Sequence, residues 1–159
     1  MRHLEVANQN VTTAITFVPM RGKYDCLTCA TAMLLGIKYE EVEAAFGGNI
    51  DPTKDKQEEG QRLYNAFERL LLKLQRGALN HLDMPPLREG RRYWITVRID
   101  DPTNPLSKDM SHGIVVDEAG KVFDPNPQYG EFKSLAEWQA AMSLRHRLES
   151  ATEIFEYVF

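Results

Sequence analysis

The spacing of apolar residues changes period once along this chain, and that change limits the folds open to it. In the first half the apolar residues recur at helical spacing, as at Leu63, Phe67, Leu70 and Leu74. From Tyr93 onward they alternate: Tyr93, Ile95, Val97 and Ile99 are interleaved with Trp94, Thr96 and Arg98, the pattern of a strand. Helices first and mostly antiparallel strands afterwards predict an α+β domain. At 159 residues the chain is long enough for one full core and short for two, so residues 1–159 are read as a single domain.

Punctuation places the elements. Thr12 to Val18 is β-rich and predicts a short strand, followed by a turn from Pro19 to Lys23. Asp25 stands as N-cap to a helix from Cys26 to Leu35, which Gly36 ends. Tyr39 to Phe46 predicts a second helix, stopped by Gly47-Gly48, and Asn49 to Glu59 a charged loop. The third helix is expected over Gln61 to Arg76, and Gly77 to Arg91, with Pro85-Pro86 and Gly90, as an irregular connector. After the Tyr93 strand, Asp100 to Ser111 predicts a loop, and Gly113–Val116 with Lys121–Phe123 a hairpin turning at Asp117 to Gly120. A short helix over Ser134 to Met142, with Leu135, Trp138 and Met142 on one stripe, and a strand over Thr152 to Phe159 complete the set.

Composition narrows the function. The net charge of −4, with Lys and Arg scattered among Asp and Glu, argues against a nucleic-acid binder acting through a basic face. No run approaches the roughly 20 apolar residues that span a bilayer, and Met1 to Asn10 lacks the apolar stretch of a secretion signal, so a cytoplasmic protein without membrane contact is expected. The two cysteines, Cys26 and Cys29, lie three apart rather than in a wide disulfide framework.

A thiolate is the reactive form of cysteine, and a helix N-terminus favours it through unpaired N–H groups and the helix dipole. Cys26 occupies such a position, whereas Cys29, one turn further in, reads as a small packing residue. A base is also needed. His3 is near the terminus, His81 falls in the proline-bearing connector, and His146 sits between Arg145 and Arg147 and reads as solvated. His112 instead opens the apolar strand Gly113–Val116, where a rigid element would hold its ring. The hairpin returns Asp124 towards His112 as an orienting acid, giving Cys26, His112 and Asp124 as nucleophile, base and orienter.

These residues resemble a known group. Tyr24-Asp25-Cys26-Leu27-Thr28-Cys29-Ala30-Thr31-Ala32-Met33-Leu34-Leu35-Gly36 is similar to the active-site helix of papain-like cysteine peptidases, in the branch related to bacteriocin-leader-processing (double-glycine) peptidases. Ser111 to Val116 and Val122-Phe123-Asp124-Pro125 resemble the histidine strand and Asp-Pro segment of that family. The likeness covers roughly residues 18–46 and 92–127 and implies a papain-like fold, N-terminal helices packed on a mostly antiparallel sheet. It implies a cysteine hydrolase of peptide or isopeptide bonds, with Cys26, His112 and Asp124 as its triad and no cofactor or metal.

Two departures stand out. The family places a Gln six residues before the cysteine, where its amide binds the oxyanion; here that position is Met20, and Leu27 replaces the usual Gly after the cysteine. Met20, Arg21 and Asp25 are therefore the candidate oxyanion or cleft residues, with Arg21 or Lys23 as alternative sources of positive charge.

Three other functions fit parts of the pattern. Met20 motivates a binding or inhibitor protein on the same fold, holding a partner's extended peptide, of a size suited to a phage or mobile-element regulator. The Cys26-Leu27-Thr28-Cys29 spacing has a thioredoxin-like form but lacks a preceding parallel βαβ context. A zinc site lacks a second clustered ligand pair.

Overall fold

The computed structural model describes residues 5–6, 14–81, 83–99, 111–142 and 146–158. Helix α1 (Cys26–Leu35) and helix α2 (Tyr39–Phe46) have the bounds expected from the sequence. Both end at glycines in the left-handed region, Gly36 at φ 67 and Gly47 at φ 70, where a side chain would be strained. Helix α3 (Lys56–Lys73) starts five residues earlier than expected, because the Asp55 side chain accepts from the Glu58 N–H. Polar residues hid that first turn: Glu59 is buried, bonded to Arg62, which also donates to the Phe46 and Asn49 carbonyls.

α3 stops short of Arg76, and Gln75 takes a left-handed conformation at φ 56 as the chain reverses. The expected irregular connector is instead partly strand β2 (Arg76–His81). The other strands are β1 (Glu5–Val6), β3 (Arg92–Ile99), β4 (Ser111–Val116), β5 (Val122–Asp124), β6 (Gly130–Phe132) and β7 (His146–Val158). Helix α4 (Leu135–Ala141) is capped by Ser134, whose hydroxyl accepts from the Glu137 N–H.

Residues 14–18 of the expected first strand carry no regular structure; 12 and 13 lie outside the described residues. Ile15, Phe17 and Val18 pack onto the helical core instead of pairing. Of the loop expected over Asp100 to Ser111, residues 100–110 lie outside the described residues, as do His3 and Phe159, and Ser111 instead opens β4, where it pairs with Arg98. Every pairing described is antiparallel: β7, β3, β4, β5 and β6 run side by side, and β1 and β2 both pair with β7. The molecule is thus α+β, as the change of period predicts.

Strand alternation divides the core in two. Trp94, Val115, Phe123 and Ile154 face α1, α2 and α3. Tyr93, Ile95, Val97, Ile114, Val116 and Val122 face the opposite way, towards Trp138 and Met142. Arg92, only 1% exposed, locks the helical layer to the sheet: it donates to the Leu34 carbonyl at the end of α1 and to the Glu118 carboxylate in the β4–β5 turn. A cation there complements the helix dipole, and the clamp fixes α1 against the strand that carries His112.

Candidate active site

His112 is the second residue of β4, and its register with Val97 places it at the start of that strand. By alternation it shares a face with Ile114 and Val116, while Asp124 shares that face with Val122. The β4–β5 hairpin brings them together: His112 Nε2 lies 2.6 Å from Asp124 Oδ1. The Cys26 thiol is a near neighbour of the ring, close enough to raise the His112 pKa. Because Nε2 is taken by Asp124, Nδ1 is the nitrogen left for the thiol. Cys26 is the first residue of α1, and His112 stands at the start of β4. Cys26 is half-buried.

Asp124 is 1% exposed and accepts from three donors. The Asn126 N–H reaches Oδ1 at 3.0 Å, and the indole N–H of Trp138 reaches Oδ2 at 2.9 Å. Burial opposes a charge on His112, but the hydrogen bond to Asp124 and the nearby Asp124 and Cys26 side chains outweigh it. The His112 pKa is pushed up from 6.5 to about 9. His112 therefore carries its proton at neutral pH, the positive neighbour that a thiolate requires.

The loop before Cys26 is held from several sides. Met20 N–H donates to the Pro125 carbonyl at 2.7 Å, so the chain six residues before the cysteine is tied to the segment following Asp124. Asp25, 2% exposed, accepts from the Arg21 N–H at 2.8 Å, the Gly22 N–H at 3.3 Å and the Tyr39 hydroxyl at 3.0 Å. Its carboxylate therefore does not cap α1 as expected. It turns back to close the loop, and only its backbone carbonyl receives the helix, from Cys29 N–H.

Arg21 is directed towards α2 in this structure, its guanidinium 3.9 Å above the Tyr39 ring and 2.8 Å from Glu40. Asn49 donates to the Tyr39 hydroxyl and to Glu43, and accepts from Thr28 on the first turn of α1. Burial pushes the Tyr39 phenol up to about 12, with the Asp25 carboxylate adding to the shift and Asn49 opposing it. Tyr39 thus remains a neutral donor.

Cys29 is fully buried, and burial, followed by the Asp25 charge, pushes its thiol up to about 12. The thiol contacts Asp25 Oδ2 at 3.8 Å. His81 belongs to β2 rather than to a connector, and His146 belongs to β7, half-buried with its ring edge-on to Trp138 at 6.2 Å. The solvated reading of His146 overlooked β3, which pairs Ile99 with it. Among the described residues no group of three or more His, Cys, Asp or Glu side chains is placed to hold a metal ion, and no helix is long and apolar enough to cross a membrane.

Sequence reasoning brought forward Cys26, His112 and Asp124, and these three side chains come together. Neither the bond from Trp138 to Asp124 nor the Tyr39–Asn49–Thr28 chain behind the loop is marked in the sequence. The apolar stripe through Trp138 was visible, but nothing in its spacing marks an indole that bonds a carboxylate 14 residues earlier. No protein-family model, curated protein or solved structure matches this chain.

Proposed function

We propose that this chain has a papain-like fold and acts as a cysteine hydrolase of peptide, isopeptide or related amide bonds. The observation that carries this reading is the His112 ring held 2.6 Å from the buried Asp124 carboxylate, with the Cys26 thiol as a neighbour that raises its pKa. That is the geometry of an activated nucleophile with an oriented base.

In the reaction, Cys26 Sγ attacks the substrate carbonyl carbon as a thiolate, with its proton resting on His112. The tetrahedral intermediate collapses and the C–N bond breaks. The leaving amine takes the proton from His112, and an acyl thioester remains on Cys26. Water then attacks the thioester and gives a proton to His112, and the C–S bond breaks to release the acid. Asp124 stays ionised and holds the imidazole throughout. The Cys26 N–H stands in the first turn of α1, where it has no intrahelical acceptor and is available to an oxyanion. Met20 offers no second donor from its side chain.

Digestion of a peptide library, followed by detection of new chain ends, tests this reading. New ends should appear with the natural protein and be absent with Cys26→Ala and with His112→Ala. Unchanged cleavage by Cys26→Ala would remove the thiol from the chemistry.

A second reading is favoured by one observation. Met20 occupies the place of the expected oxyanion donor while its backbone is pinned to Pro125. A site of that kind suits a protein that holds an extended peptide without cutting it. Partner binding that persists in Cys26→Ala, with no cleavage by the natural protein, would favour this reading over the hydrolase. The redox alternative is disfavoured because every strand pairing described is antiparallel, without the parallel βαβ setting of a thioredoxin-like site.

A further inference from the structure

Three donors converge on Asp124, but they do not constrain it equally. The bonds from His112 and from the Asn126 N–H both end on Oδ1. The carboxylate turns about its Cβ–Cγ bond, and a partner on Oδ2 adds a second, independent restraint on that turn. Among the described residues, the hydrogen bond to Oδ2 comes from Trp138, at 2.9 Å. This bond fixes the second oxygen, and so helps hold the plane of the carboxylate in which Oδ1 faces the imidazole.

Trp138 is well suited to that task because it cannot swing. The side chain is fully buried in the core on the α4 face of the sheet, and its ring stands edge-on to His146. The helix that carries it is fixed at both ends. Ser134 caps the first turn, and the Trp138 carbonyl receives the Met142 N–H at 3.0 Å. Burial of the indole alone does not account for the 2.9 Å bond. A phenyl ring would fill much of the same volume without a donor.

We propose that Trp138 is a positioning residue: its indole N–H holds the Asp124 carboxylate in the orientation that presents Oδ1 to His112. The kinetic part of this inference rests on the hydrolase reading, and the geometric part does not. Helix α4 is then more than a cover for the sheet, since it delivers one donor to the acid behind the candidate base.

The test is Trp138→Phe, which keeps an aromatic ring and removes the donor. Should that variant fail to fold, benzothienylalanine at position 138 keeps the indole shape and removes only the N–H. Two readouts are taken on the whole chain. The first is the NMR signal of the His112 Nε2 proton, which a 2.6 Å bond to Asp124 places far downfield. The second is the rate at which iodoacetamide alkylates Cys26 at neutral pH.

The expected result is an upfield move of the proton signal and alkylation slower by about tenfold, the lower end of what loss of a hydrogen bond to a charged group costs. A variant that is merely less stable, with signal and alkylation rate as in the natural protein, overturns the proposal. If natural Cys26 is no more reactive than Cys29 while the proton signal still moves, the positioning role stands and the hydrolase reading falls.

Discussion

Replacing Asp124 by Asn leaves the shape of the side chain nearly unchanged and removes its charge. The groups around the carboxylate determine the effect. Three N–H donors, from His112, Asn126 and Trp138, end on its two oxygens. An amide has one oxygen and one NH2 group, so at least one of those donors must face another donor. His112 also loses the charge of Asp124, the stronger of the two partners that raise its pKa from 6.5 to about 9. At about 1.4 kcal/mol for each pH unit, the whole shift corresponds to about 3 kcal/mol of preference for the imidazolium.

Burial works in the opposite direction and is unchanged by the substitution, while Cys26 retains part of the support. The His112 titration should therefore move down by about 1–2 units in Asp124→Asn. Following the His112 ring signals by NMR against pH reads this directly. The alkylation profile of Cys26 should change with it, falling through the neutral range where the natural protein still holds the imidazolium. A His112 titration that stays near pH 9 in the variant would refute the assignment of Asp124 as the group that holds the base.

The same geometry carries further expectations. The folded chain holds the His112 proton more tightly than the unfolded one. That contribution to stability, about 3 kcal/mol, is complete below about pH 6.5 and disappears as pH rises through 9. Melting curves of the natural protein and of His112→Gln should thus converge as pH is raised towards about 10, and a gap that widens would contradict the sign. Met20→Gln supplies the missing oxyanion donor and should raise turnover of any amide substrate by about 100-fold or more, read from kcat; no increase in a folded variant would mean the hole is completed elsewhere. Gly113→Ala places a Cβ 2.0 Å from the Trp94 indole nitrogen, so it should lower stability by about 3 kcal/mol in thermal melts. Gly22→Ala, with nothing within 4 Å of the added carbon, should not.

What could be read in advance depended on how local the determinants were. α1 and α2 carry their own stop signals in Gly36 and Gly47, and their bounds were legible. The His112–Asp124 pair was legible because a short hairpin fixes which residues meet. β2 was not, since Arg76, Gly77, Asn80 and His81 give no alternation; β7, 70 or more residues later, supplies its pairing. The direction of a polar side chain was equally hidden. Nothing local said that Asp25 would close the loop behind it rather than cap the helix ahead, or that Arg21 would lie on Tyr39. Trp138 is the clearest case, because its partner is chosen by packing across the sheet.

At the centre of the proposed function stands the Cys26 thiol at the start of α1, with His112 as its proposed activating base and the buried Cys29 as its contrast. The most direct measurement is the rate of iodoacetamide labelling at each cysteine, resolved by peptide mapping at neutral pH, in the natural protein and in His112→Ala. Cys26 should label far faster than the buried Cys29, and its advantage should collapse when His112 is removed. Comparable rates at the two cysteines, or a Cys26 rate indifferent to His112→Ala, would contradict that role.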